Sequence, residues 1–190
     1  MNELAARAET VRYCRLLWER RLVTGTSGNV SVLLGDGSIL VTPTQTSLRS
    51  VDEAALVRTD RSGRAWDSNF VPTSELRLHL AAYEARPDVR AVIHTHPTFC
   101  VVWSKTGAVF ERDTVGARET LGEVAFTPYF PPGSAELAAA TAAAFASGVN
   151  TVLMERHGVS AVGPDLETVF NLTDLAEEAA RIAYFSKVVF

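Results

Sequence analysis

Cysteines, basic clusters and long apolar runs are all scarce in these 190 residues. No stretch is long and apolar enough to span a bilayer as a helix, so a membrane is not an expected partner. The first twenty residues interrupt their apolar positions with Glu3, Arg7, Glu9, Arg12, Arg15 and Glu19. That pattern lacks the unbroken hydrophobic core of a secretory signal. Two cysteines, Cys14 and Cys100, cannot build a disulfide framework, and a cytoplasmic location is the expectation. Lysine and arginine number 18 against 22 aspartates and glutamates, a net charge of −4 with no basic cluster. The electrostatic footprint of a nucleic-acid binder is therefore missing. An anionic substrate would have to be held by local groups. Repeats, low-complexity tracts and linkers are lacking too, and the length suits a single domain over residues 1–190.

What is present is a clear alternation of helical and extended segments. Leu4, Ala8, Val11, Leu17 and Trp18 recur at helical spacing and predict an amphipathic first helix. Gly25-Thr26-Ser27-Gly28-Asn29 punctuates the chain, and Val30 to Leu34, Gly35-Asp36-Gly37 and Ser38 to Thr42 read as strand, turn, strand. Thr73 and Ser74 are expected to cap a short helix whose apolar face is Leu76, Leu80 and Tyr83 and which ends at Arg86-Pro87. Ala91 to His96 reads as a buried strand ended by Pro97. Ser134 is placed to cap an alanine-rich helix, Ala135 to Ala146, stopped by Gly148. Thr151 to Met154 is a further strand, followed by the turn Glu155-Arg156-His157-Gly158. A last helix from about Asp165 to Lys187 offers Leu166, Val169, Phe170, Leu172, Ala176, Ala180 and Ala183 as its apolar face.

Only four histidines occur, and two of them stand as His94-Thr95-His96 on an apolar strand. Residues two apart on a strand share a face. Two adjacent imidazoles are hard to explain as core packing, because each must satisfy ring nitrogens away from water. A shared metal explains both. His157 also sits at a strand-to-turn junction, and three histidines with an open position form a catalytic zinc pattern. The competing interpretation makes His157 an ordinary turn residue and the pair structural. His79, four residues after Glu75, reads as a satisfied helix residue rather than a ligand.

Several motifs in this order resemble one family: Gly25-Thr26-Ser27-Gly28-Asn29-Val30-Ser31, Val41-Thr42-Pro43-Thr44, Pro72-Thr73-Ser74-Glu75, Ala91 to His96, and His157-Gly158-Val159. Together they are similar to the class II aldolase and adducin head-domain family, which includes fuculose-phosphate and rhamnulose-phosphate aldolases and ribulose-phosphate 4-epimerase. The resemblance implies an α/β fold with a central, mainly antiparallel sheet flanked by helices. It implies Zn2+ on His94, His96 and His157, with Mn2+ or Co2+ acceptable to the same imidazoles, and Glu75 as the catalytic acid/base. It further implies that Gly28, Asn29, Thr44, Thr73 and Ser74 cradle a substrate phosphate. Hydroxyls, an amide and free backbone N–H groups can do this without net positive charge.

The implied activity is that of an aldehyde-lyase. It would cleave or form a carbon–carbon bond in a small ketose phosphate through a zinc-stabilised enediolate, in carbohydrate metabolism, as a homotetramer. Three departures keep other readings open. Gln45 stands where the sugar-phosphate aldolases usually place glycine, so a carboxylate could replace phosphate in the cradle, and a decarboxylase, epimerase or dehydratase of the same fold is the alternative. Ser104 to Gly122 contains no tyrosine at the place of the family's second acid, leaving Thr114, Glu111 or Glu119 as substitutes. The sequence ends at Phe190, without the tail that closes over the site in some relatives. A non-catalytic adducin-like assembly module is the alternative from another class; retention of the three histidines and Glu75 speaks against it.

Overall fold

The computed structural model describes residues 2–66 and 68–189. In chain order the elements are α1 (Glu3–Glu19), β1 (Asn29–Leu33), β2 (Ile39–Val41), β3 (Val57–Thr59), α2 (Leu76–Ala85), β4 (Ala91–Thr95), α3 (Thr98–Ser104), a π-helical stretch (Ala117–Leu121), β5 (Val124–Thr127), α4 (Ala135–Ala146), β6 (Thr151–Met154), β7 (Gly158–Gly163) and α5 (Leu166–Val189). The strands form one sheet in the order β3-β2-β1-β4-β7-β6-β5. Every pairing is antiparallel except β5 with β6. The mainly antiparallel α/β architecture expected from the resemblance is therefore the one observed.

Strand β4 lies in the middle of the sheet and is buried along its whole length. Its composition explains this: with helices on both faces, a central strand needs apolar residues at alternate and intervening positions alike. Ile93 joins the core under α1, α3 and α5 with Leu17, Leu153, Val159, Val169 and Ala180. Val92 points to the opposite face and packs with Leu78, Tyr83, Leu137, Phe145 and Val162 under α2 and α4.

Two local expectations need correcting. In α1 the buried face is Ala6, Thr10, Val11, Tyr13, Cys14 and Leu17, whereas Leu4 is 73% exposed and Ala8 is also exposed. The small Ala6, Thr10 and Cys14 allow close approach to the sheet, which apolar periodicity alone does not weigh. The cap of α2 is Glu75 and makes no side-chain capping bond; Thr73 instead accepts the Glu75 N–H at its Oγ1, 3.3 Å away, and Ser74 is exposed. Consequently the buried face of α2 is Leu78, His79, Ala82 and Tyr83, with Leu76 and Leu80 only half-buried. Ser134 does cap α4, accepting the Leu137 N–H at 3.1 Å.

Register carries the fold into the site. Asn29 at the start of β1 lies opposite His94 near the end of β4, and Thr95 lies opposite Val159 near the start of β7. Three chain segments thus meet at one end of the sheet. A bridge between Pro43 and Pro72, with Thr44 N–H donating to the Val71 carbonyl and Thr73 N–H to the Thr42 carbonyl, draws the two threonine segments beside it.

Candidate metal centre and substrate cleft

At that end of the sheet His94, His96, His157 and Glu75 converge, each presenting one ligand atom, and all four atoms lie within 4.8 Å of one another. The three imidazoles stand edge to face, their centroids 4.7 to 4.8 Å apart. Backbone geometry makes this convergence possible. A Cβ on Gly28 would lie 2.5 Å from Val23 Cγ1 and 3.0 Å from the His94 carbonyl oxygen, at a φ of +80°, so only glycine brings the loop this close.

The polar atoms are arranged as a donor set for a cation. His94 is fully buried and turns Nδ1 to the Val159 carbonyl oxygen at 3.0 Å. That bond takes the ring proton of a neutral imidazole and leaves the Nε2 lone pair facing inward. Both His96 Nε2 and Glu75 Oε2 lie 2.8 Å from it, and Glu75 Oε1 lies 3.4 Å from His157 Nε2. Glu75 Oε1 is buried without a hydrogen-bond partner. Electron-rich groups crowded in this way, one of them orphaned, fit a shared divalent cation, which three imidazoles and a carboxylate could hold.

Protonation states favour the same function. Burial raises the Glu75 carboxyl, but the adjoining His94 ring and its hydrogen bond, His157 and the Asn29 amide outweigh this and hold it below the usual carboxylate range. Burial and repulsion from His94 and His157 pull His96 down to about 3, against the opposing effect of Glu75. Burial and His94 pull His157 to about 4, again against Glu75. His96 and His157 are thereby held neutral and Glu75 ionised, the forms in which these groups bind metal.

The centre opens into a polar cleft of about 430 Å³. Its walls include Gly28, Asn29, Thr44, Thr73 and Ser74 together with Glu75, His96 and His157, so every residue expected for the cradle and all but one of the remaining site residues face one space. The exception, His94, is reached only through its neighbours. Gln45 also lines the cleft, in a left-handed conformation at φ +54°.

Other expectations are not met. Thr114 is occupied in its own turn, accepting the Ala117 N–H, and Glu111 lies in a separate groove with Arg112 and Glu123. None of Thr114, Glu111 and Glu119 lines the cleft. Glu111 and Thr114 belong to an irregular stretch and Glu119 to the short π-helical one, whose positions sequence spacing does not define. Conversely, Arg156 lines the cleft and was not singled out by the sequence reading. Its place immediately before His157 was the available signal. It sits at φ +56°, its N–H bonded to Ser104 Oγ at 2.9 Å.

Comparison with known proteins identifies the family and the fold. An L-fuculose phosphate aldolase from Methanococcus maripaludis is 32% identical, the alignment covering 93% of this chain and 94% of that one. A 3-oxo-tetronate 4-phosphate decarboxylase from Pectobacterium atrosepticum is 31% identical, with 96% and 85% covered. The crystal structure of YgbL from Escherichia coli superposes with a TM-score of 0.89 at 29% identity, covering 96% of this chain and 90% of that one. Over residues 8–184 the sequence matches the Class II Aldolase and Adducin N-terminal domain, and the chain belongs to that family.

Proposed function

We propose that the protein is a metal-dependent carbon–carbon lyase acting on a small phosphorylated hydroxy-keto compound, with Zn2+ on His94, His96 and His157. One observation carries the reading: three histidines and a carboxylate meet at the floor of a cleft walled by hydroxyls, an amide and a glycine turn. The bound ion would supply Lewis acidity toward the substrate's oxygen atoms.

The chain's own residues do the rest. Asn29, Thr44, Thr73 and Ser74 hold the phosphate and fix the reacting carbon beside Glu75. Glu75 Oε1, which has no hydrogen-bond partner, returns a proton to carbon on cleavage and removes it in synthesis. For aldol cleavage, a second group must take the hydroxyl proton of the departing aldehyde. Exposed apolar side chains on α5, Phe185 at 50% and Val188 at 67%, support assembly as a homotetramer, and the two buried free cysteines suit the cytoplasm.

Two features favour a second reading, decarboxylation of a phosphorylated keto acid. Arg156 is the one lysine or arginine among the described residues lining the cleft, and it matches a substrate carboxylate. Among the described residues, no tyrosine or second carboxylate accompanies Glu75 there. Loss of carbon dioxide leaves the electron pair on carbon and needs only one proton donor, whereas aldol cleavage needs a further acceptor. Incubating the zinc-loaded protein with L-fuculose 1-phosphate and with 3-oxo-tetronate 4-phosphate, and assaying aldehyde and carbon dioxide, separates the two. Release of neither from these or related phosphorylated hydroxy-keto compounds would refute the lyase reading.

A further inference from the structure

Behind the cleft, a chain of polar side chains runs through the interior from Tyr83 to Glu75. His79, fully buried on α2, has Nε2 2.5 Å from Asn29 Oδ1 and Nδ1 2.7 Å from Ser31 Oγ. Ser31 Oγ lies 2.8 Å from the Tyr83 hydroxyl, and Asn29 Nδ2 lies 3.4 Å from Glu75 Oε2. Each member is buried.

Chemistry gives this chain one direction. A carboxylate only accepts, so the Asn29 edge facing Glu75 must be its N–H edge. The Asn29 oxygen then faces His79 Nε2, which must carry the ring hydrogen. In a neutral ring Nδ1 becomes an acceptor, filled by the Ser31 hydroxyl, and Ser31 accepts in turn from Tyr83. Reversing any link would set two acceptors or two donors against each other away from water, leaving buried polar groups unsatisfied.

We propose that His79, as its neutral Nε2–H tautomer, is a positioning residue that locks the Asn29 carboxamide with its N–H toward Glu75 Oε2. Restrained on that side, Glu75 keeps Oε1 turned away from the amide and available for proton transfer. The anchoring by Ser31 and Tyr83 in turn prevents the imidazole from flipping. Burial, with repulsion from His94 and against the attraction of Glu75, holds the ring's pKa at about 3, consistent with a neutral imidazole. The catalytic consequence rests on the lyase reading; the tautomer and the amide orientation do not.

The test begins with the zinc-loaded wild type labelled with 15N in histidine and asparagine. Long-range 1H–15N correlation should find His79 protonated at Nε2 and bare at Nδ1. The Asn29 side-chain amide hydrogens should be protected in wild type and in His79→Gln, which keeps an N–H at the Nε2 position, but should exchange rapidly in His79→Leu. An Nδ1–H tautomer, a charged ring at neutral pH, or equal amide exchange in wild type and His79→Leu would overturn the proposal. Should His79→Leu not fold, Tyr83→Phe replaces it, with faster amide exchange than wild type expected and an unchanged rate contradicting the anchored chain.

Solvent-deuterium exchange into dihydroxyacetone phosphate then reads the consequence. With zinc bound and KM held within about twofold, kcat should fall about tenfold or more in His79→Leu and recover in His79→Gln. Equal kcat in all three refutes the positioning role. A wild type that exchanges no proton counts against the aldol form of the function, and the two NMR readouts still decide this inference.

Discussion

Gly158 passes the end of β4 so closely that a Cβ on it would sit 2.1 Å from the carbonyl oxygen of Thr95 and 3.1 Å from the His96 Cα. The two residues lock the turn carrying His157 against the strand carrying His94 and His96. Gly158→Ala must push those backbones apart. We expect a stability loss of about 1–3 kcal/mol in urea denaturation, together with weakened metal binding. Unchanged stability and metal content would show that the turn need not approach so closely.

Glu75 is the group asked to move a proton, and Glu75→Gln keeps its shape while removing its basicity. The variant should fold, retain metal on the three histidines and lose on the order of a hundredfold or more in turnover. If instead Glu75 only favours the start of α2, the change costs roughly 0.3–1 kcal/mol of stability and leaves turnover intact. Solvent-deuterium exchange into dihydroxyacetone phosphate, read by NMR, separates these outcomes.

Acid should destabilise the metal-free protein earlier than an ordinary surface-charged domain. His79 and His96 are held at about 3 and His157 at about 4, all below the ordinary 6.5. The unfolded chain therefore binds more protons than the folded one across this range. The stability these groups contribute is fully present above pH 6.5 and is lost as pH falls toward 3. Glu75, also depressed, acts with the same sign at the acidic end. Each group adds a limiting slope of about 1.4 kcal/mol per pH unit. The groups facing His79 are Asn29, Ser31 and Tyr83, with Glu75 and His94 acting through space. His79→Gln should flatten the profile in proportion; an identical profile would deny that His79 is buried neutral.

Much of this was legible in the sequence, and the rest was hidden for identifiable reasons. The β1–β2 hairpin, β4, β6, α4 and α5 carry strong signals: a glycine turn, unbroken apolar strands, a serine cap and a long apolar stripe. Strands β3 and β5 and helix α3 are short and depend on neighbours supplied by distant chain, while β7, six residues long, mixes Gly158, Ser160 and Gly163 with its apolar positions and so lacks an unbroken apolar run. His94, His96, His157 and Glu75 were readable because spacing and motif singled them out. Arg156 and the His79 chain were not, because their roles arise from register and turn geometry: Asn29 opposite His94, and Arg156 held left-handed beside Ser104.

The anion cradle and Arg156 make separable predictions. If Asn29, Thr44, Thr73 and Ser74 hold phosphate, phosphoglycolohydroxamate should inhibit far better than its unphosphorylated counterpart. Comparable inhibition would place another group in the cradle. If Arg156 reads a carboxylate, Arg156→Gln should raise KM for a keto-acid phosphate by about tenfold or more and leave a ketose phosphate nearly unaffected, since a charge-assisted bond contributes about 1.5–3 kcal/mol. Equal effects on both substrates would reduce Arg156 to a surface cation.

Metal content decides whether His94, His96 and His157 are ligands. Protein purified without chelator, alongside His94→Ala, His96→Ala and His157→Ala, should be analysed for transition metals before and after equilibration with zinc. The wild-type chain should hold about one divalent ion, lost on acidification as the imidazoles protonate and lost from each variant while its circular dichroism persists. A wild type that holds no metal after zinc is added, or variants that hold it as tightly as wild type, would contradict the assignment of His94, His96 and His157 as ligands.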